Sequence, residues 1–268
     1  SSSDDEAART ARAHTLTVLR NLDAEGRGQV VRFLYESALL SAGEPIVDLQ
    51  AADLRGMNLS GVQLPAINLR NVDLSGARLA HIEIPASDLR ETKLDQAELM
   101  GADLSESYLR GASLNNALLS DANLRDAILT KAKLIEADLR HADLTDANLS
   151  GADLTRADLS GANLKGAKLN GAILVGAILD DADVSLANLS KANLSGVVAT
   201  GANFSGANMA GATMIGAKMN GAVLGGAILS EADLSDAELR EANLNLANMR
   251  GATMNQAILA GANLRDAI

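Results

Sequence analysis

Residues 157–174 read ADLSGANLKGAKLNGAIL, four copies of one five-residue unit in which Leu159, Leu164, Leu169 and Leu174 each stand two places after an alanine. Followed outward in both directions, the frame runs from Leu49 to Leu264 and gives 44 centres, mostly Leu, with Ile84, Val184, Phe204 and Met209 among the exceptions. Only Ala199 is a small centre. From Ala97 onward the place two before the centre is almost always Ala, with departures at Ser107 and Val197. The unit is A-(D/N)-L-x-x with Gly or a polar residue last, and no insertion interrupts it. A period of five is neither 3.6 nor 2, so neither an amphipathic helix nor an alternating strand accounts for it. It predicts a solenoid of short straight sides, each pentapeptide forming one side and turning a corner. The centre and the residue two before it face inward, and the Asp or Asn between them faces out.

Pro65 and Pro85, the only prolines within the repeats, hold equivalent places 20 residues apart, which fits four pentapeptides to a coil. The 44 centres then make 11 coils. At roughly 4.8 Å between coils the rod is about 53 Å long. Each coil buries four Leu-sized groups at about 1.5–3 kcal/mol apiece, so stability accumulates along the rod. At Val197–Ala199 the pattern inverts, with the larger residue two before the centre and the small one at it, which conserves volume. The following centres are Phe204, Met209, Met214 and Met219, and Met219 falls one coil above Ala199, where a long flexible side chain fills the space left. Near the start, Met57, Val62, Ile67, Val72 and Ile82 occupy the small inward position, so the first coils are expected to be wider or distorted.

This uninterrupted array resembles the pentapeptide-repeat proteins over residues 48–268. The resemblance implies an all-β solenoid, a right-handed quadrilateral β-helix, and a protein-binding role. The family includes antibiotic-resistance proteins that bind DNA gyrase or topoisomerase IV, toxin-immunity factors, and many bacterial and cyanobacterial members of unknown role. Residues 1–47 lie outside the repeats and are expected to form an N-terminal helical cap over the end coil, whose open edge invites pairing. Ser3 to Glu6 has capping-box spacing ahead of Ala8, Ala11, Val18, Leu19 and Leu22 near one helical face. Asp23 is placed to cap a second helix with an apolar stripe of Val30, Val31, Leu34, Tyr35 and Ala38, closed by Gly43 and Pro45. The stretch from Val18 to Leu40, VLRNLDAEGRGQVVRFLYESALL, also looks like the segment before the repeats in a set of bacterial proteins, some with membrane segments upstream. That second resemblance implies a membrane tether through residues absent from this chain, as an alternative to a cytoplasmic location. At the other end the sequence stops at Arg265–Ile268 with no cap following, which makes self-association through that coil an expectation.

Composition restricts the chemistry. The 268 residues include no Cys, no Trp, two Tyr and two Phe, so Ala and Leu carry the core and no disulfide or thiolate metal site exists. The most apolar stretch, Gly171–Leu179, is nine residues long and cannot span a bilayer. A net charge of −11 argues against direct nucleic-acid binding. None of H-E-x-x-H, a P-loop, G-x-S-x-G or a calcium-binding nonapeptide occurs. His14, His81 and His141 are too sparse for a ligand set, and the last two, though on one face, stand three coils and about 14 Å apart. No catalytic residue, cofactor or metal is expected, and the chain reads as not an enzyme.

Function is therefore expected on the outer faces, which the register sorts by charge. The side through Leu64, Ile84 and Leu104 holds eight acids against three bases, with Glu83, Asp103, Glu106, Asp126, Asp143, Asp146 and Asp183 the candidate partner-binding residues and Asp266 the eighth. The side through Leu59 and Leu79 has eight acids and four bases, the side through Leu54 and Leu74 seven and four. The side through Leu49 and Leu69 is opposite in sign, with four acids and seven bases. A second candidate surface is apolar: Ile173, Val175 and Ile178, with Val198, Val223 and Ile228 further along. The leading expectation is a non-enzymatic protein-interaction scaffold with an unidentified protein partner. The alternative is DNA-mimic binding of gyrase or topoisomerase IV. B-DNA carries one charge per about 1.7 Å, so a rod of about 53 Å needs on the order of 30 negative charges. The two most acidic sides together net −9.

Overall fold

A computed structural model describes residues 2–40 and 47–268. Two helices come first, α1 (Ser2–Asn21) and α2 (Ala24–Glu36). Repeats follow to the end of the chain. Each pentapeptide contributes one parallel β-bridge to the pentapeptide 20 residues on, from Asp53↔Asp73 to Asn243↔Asn263 without a slip. Four sides per coil are thus fixed by the pairing itself. Every side is one bridging residue long, so the rod has ladders of single bridges rather than continuous strands.

The five N–H groups of one unit, Ala152–Arg156, explain the consensus. Ala152 closes the preceding turn on Leu149 O (2.9 Å), Asp153 donates back one coil to Ala132 O (2.9 Å), and Leu154 and Arg156 donate forward to Ile173 O (2.7 Å) and Val175 O (3.0 Å). The fifth, on Thr155, has no carbonyl to meet and donates instead to Asp153 Oδ1 (3.0 Å). Asp and Asn recur one place before the centre because their short side chains reach a backbone N–H two residues on, which longer Glu or Lys does not do at this geometry. At four units whose slot holds another residue, the acceptor comes from the coil before: Asp95 serves Asn115, Asn115 serves Ile135, Asp180 serves Thr200 and Asn220 serves Arg240. Pro65 and Pro85 follow Gln63-Leu64 and Glu83-Ile84, so the missing N–H sits where no Asp or Asn awaits it.

At all 44 corners, from Ala51 to Asp266, the last residue of the unit is left-handed, with φ between +54° and +75°. A positive φ at the third residue of a hydrogen-bonded turn is the type II signature and favours glycine. Bulkier corner residues lean toward the next coil, and glycine there makes room. A Cβ on Gly161 would come within 2.5 Å of His141 Nδ1, and one on Gly101 within 2.5 Å of His81 Nδ1.

The core is one continuous column of buried Ala and Leu. Val197, Ala199 and Met219 are all fully buried, as the inverted pattern requires. Met57, Ile67, Val72 and Ile82 are buried in the same 20-residue register as the Ala positions above them. Hydroxyls at the inward place are satisfied internally: Thr92 donates to Leu69 O (2.7 Å) and Ser107 to Ile84 O (2.9 Å).

At the N-terminal end the helices supply the partners that a preceding coil would have supplied. Asn58 N and Asn68 N donate to Ala24 O (3.3 Å) and Leu40 O (3.2 Å). Gln50 O, Arg55 O and Pro65 O accept from Arg12 Nη2 (2.6 Å), Arg27 Nη1 (2.8 Å) and Tyr35 OH (2.9 Å). Gly28 permits this contact, because a Cβ there would meet Asn58 O at 2.2 Å. Asp23 caps α2 through Gly26 N (2.8 Å) as its sequence position indicates.

Three local expectations change. Ser3 lies inside α1 and not before it. Val18 is half exposed while Leu19 is buried and Leu16 packs on the core, so the apolar stripe of α1 is rotated from the expected face. Ala38 lies beyond α2, left-handed at φ 57°, where Leu39 N bonds Leu34 O (2.9 Å) and ends the helix in a Schellman turn. Gly43 and Pro45 lie outside the described residues.

Candidate functional site

The seven acids of the Leu64 side fall into three groups. Asp103, Asp143 and Asp183 lie in the ladder, half-buried, each accepting the N–H two residues on, from Ser105, Thr145 and Ser185. Asn123 and Asn203 sit between or above them and donate to Asp103 (2.9 Å) and Asp183 (3.0 Å). Burial works against the charge of Asp143, but bonds from Thr145 and Arg125 hold its carboxyl below the usual range. Glu106, Asp126 and Asp146 are exposed and stacked on three successive coils at one corner. Glu83 is exposed on the flat of the same side, bridged to Asp103. The corner triplet and Glu83 present free charge, whereas the ladder carboxylates are engaged in the turns.

The apolar candidates form a different geometry. Ile173 and Val175 flank Leu174, and Ile178 lies round the corner at Gly176. Ile178 bridges to Val198, extending the surface one coil. Ile215, two coils above Val175 in the same column, joins it and escaped sequence reading because nothing marks it outside the register. Ile173 and Ile215 are 40% and 41% exposed. Gly176, Gly196 and Gly216 form the corner between, with open space where a Cβ would be at Gly196 and Gly216 and Arg156 Cγ 3.7 Å from that position at Gly176. Val223 and Ile228 belong to the other two sides and do not contribute.

The Leu49 side carries the basic column Arg70, Arg90 and Arg110. Arg90 is clamped by buried Asp88, with Nε 2.8 Å from Oδ1. Burial opposes ionisation of Asp88, yet the Arg90 bonds keep its carboxyl below the ordinary range. Tyr108 is half exposed beside it. Two small clefts lie at the first coils: about 330 Å³ among Arg32, Tyr35, Glu36 and residues 61–64, and about 230 Å³ around Asp53, Arg55, Asp73 and Lys93. Among the described residues no three His, Asp or Glu side chains gather as a metal site. His81 and His141 remain on separate coils, each over its glycine. No helix among the described residues is long and apolar enough to cross a membrane.

A five-residue unit, four to a coil, with an Ala/Leu core and Asp/Asn-braced turns, defines a repeat solenoid of the pentapeptide class. The family model for pentapeptide repeats matches eight times between residues 48 and 266, and the chain belongs to that family. Among solved structures it is similar to HetL of the cyanobacterium Nostoc sp. strain PCC 7120, a pentapeptide-repeat protein involved in heterocyst differentiation regulation. That similarity is 29% identity over 90% of this chain and 95% of HetL, at a TM-score of 0.42. It is also similar to QnrB1, a plasmid-mediated fluoroquinolone resistance protein, at 18% identity over 76% of this chain and 92% of QnrB1, with a TM-score of 0.36. A pentapeptide-repeat protein of the Arabidopsis thaliana thylakoid lumen is 31% identical over 51% of this chain and 71% of its own, at a TM-score of 0.14. No curated protein matches the chain. Membership rests on the repeats.

Proposed function

We propose that the chain is a non-enzymatic protein-interaction scaffold: a right-handed quadrilateral β-helix, covered at its N-terminal end by the helical pair, that presents ordered columns of side chains to a protein partner. The observation that carries this reading is the register, which holds outward residues in columns at a fixed spacing on every side. Catalysis needs a concave, water-excluding site with groups of tuned acidity. Rods need only a surface, and family membership agrees with a binding role.

The DNA-mimic alternative draws less support, since Asp103, Asp143 and Asp183 are committed to turns and only Glu83, Glu106, Asp126 and Asp146 of the candidate acids stand free. The test is photo-crosslinking from a benzophenone side chain placed in turn at Asn148, Ser195, Thr200 and Asn163, one on each side, in cells that naturally make the protein. Protein adducts confined to one side or to two adjoining sides support the scaffold reading. Absence of adducts on all four overturns it. A supercoiling assay with purified gyrase separates the alternative, because salt-sensitive inhibition would favour mimicry.

A further inference from the structure

Between Ala192 and Ser230 the chain carries a single charge, Lys218, although charged residues crowd the coils on either side. Within this neutral belt and the coil before it, the corner between the Leu54 and Leu59 sides is glycine at Gly176, Gly196 and Gly216, bare at the last two with the Arg156 stem beside the first, and rimmed by Ile173, Val175, Ile178, Val198 and Ile215. Open backbone donors lie here too, as at other units that lack Asp or Asn before the centre. In the column one place after the centre, Thr155 N and Ser195 N donate to Asp153 and Asn193. Val175 and Ile215, in the same column, have Ile173 and Thr213 in the acceptor slot, and their N–H groups meet no acceptor among the described residues. Two open donors therefore lie in an apolar surface, two coils and about 10 Å apart. An N–H that becomes buried without a partner is penalised by its lost hydration unless the covering group supplies an oxygen.

Acids bracket the surface. Asp153 and Asp158 stand on the coil below it and Asp233, Asp236 and Glu238 on the coil above. Arg156 and Arg240 beside them are paired to Glu136 (2.9 Å) and Glu238 (3.8 Å). From Asp153 to Asp233 is 80 residues, four coils, or about 19 Å at ~4.8 Å per coil, a span that about six residues of extended chain cover at ~3.3 Å each. A second copy of this chain is a poor occupant: the protein carries −11, and a two-fold pairing would set Asp153 and Asp158 against Asp233 and Asp236.

We propose that this corner, residues 173–218, is the docking surface for an extended segment of another protein, apolar over about four to six residues with basic residues at both ends, whose backbone carbonyls accept from Val175 and Ile215. The inference rests on the scaffold reading and specifies its partner's chemistry. Apolar side chains cover the isoleucines, the glycine corner lets the backbone approach, and the basic ends meet the bracketing acids.

The test uses the full chain and two fluorescent eight-residue peptides, one with an arginine pair at each end of a Leu-Val-Leu-Val centre and one with glutamate pairs instead. Anisotropy should show binding of the arginine-ended peptide and no measurable binding of the other. Ile173→Thr with Ile215→Thr should weaken binding about tenfold or more, and Asp236→Lys several-fold with the difference shrinking as salt rises. Ile128→Thr, on the Leu49 side, should change nothing, and circular dichroism should show each variant folded. Equal binding of both peptides, or indifference to the isoleucine pair, overturns the proposal. So does a dimer in sedimentation that the isoleucine pair abolishes, which would give the surface to a second copy. Crosslinks confined to the Leu49 or Leu64 side would sink this inference alone, whereas no crosslinks on any side would remove the scaffold reading with it.

Discussion

Substituting alanine for two corner glycines separates backbone from side-chain effects in this rod. Gly171 and Gly161 have nearly the same left-handed φ, +65° and +66°. At Gly171 a Cβ meets nothing within 4 Å, whereas at Gly161 it lies 2.5 Å from His141 Nδ1 and 2.8 Å from Cε1. Holding alanine left-handed costs about 1–2 kcal/mol. Restricting the unfolded chain returns about 0.4–1 kcal/mol. Gly171→Ala should therefore destabilise by about 0.8 kcal/mol at the mid-points of these ranges. Gly161→Ala should cost that plus the displacement of the imidazole from its rotamer, about 0.5–1.5 kcal/mol more. In a His141→Ala background Gly161→Ala should fall back to the Gly171→Ala value, a coupling that a double-mutant cycle reads directly. Urea unfolding followed by far-UV circular dichroism, compared at unchanged m, supplies the free energies. Equal costs for the two glycine changes would show that the ring does not lie over Gly161. A stabilising Gly171→Ala would refute the strained-corner account altogether.

Two further outcomes follow from the core and the charges. Arg55 bonds hold the Asp53 carboxyl down at about 2 against the smaller opposing effect of burial, so with an unfolded value near 3.9 its contribution is present above about pH 4 and lost as pH falls toward 2. Carbon-13 titration of Asp53 should move upward toward the ordinary range in Arg55→Ala, and an unchanged titration would refute the pairing. Ala199→Leu should destabilise by about 1–3 kcal/mol by overfilling the space beneath Met219, and adding Val197→Ala should recover most of the loss. Simple additivity in urea unfolding would contradict the volume exchange.

The period, the four-sided coil and the inverted packing at Val197–Ala199 were legible because core volume and spacing are written directly in residue type. What escaped reading depends on where a side chain's hydrogen bonds go. Asp103 and Asp126 look alike in sequence, yet one serves a turn and the other stands free on a corner, since within one coil it is the place before the centre that reaches the N–H of the residue after it. Val175 and Ile215 were likewise hidden, because an open donor appears only after every other N–H has been assigned. Val18 was misplaced because a helix of weak amphipathicity is oriented by its docking, here through Arg12 and Leu19, rather than by its own pattern.

The 20-residue pairing gives this architecture a property that few folds share. Removing or adding one pentapeptide leaves every inward residue inward, yet turns all that follows by a quarter revolution about the axis. A single five-residue indel would carry the Leu64 acids onto a neighbouring flank and leave the residues before it where they were. Chain length in such a rod works as a rotary setting, able to realign two recognition surfaces without altering a residue in either.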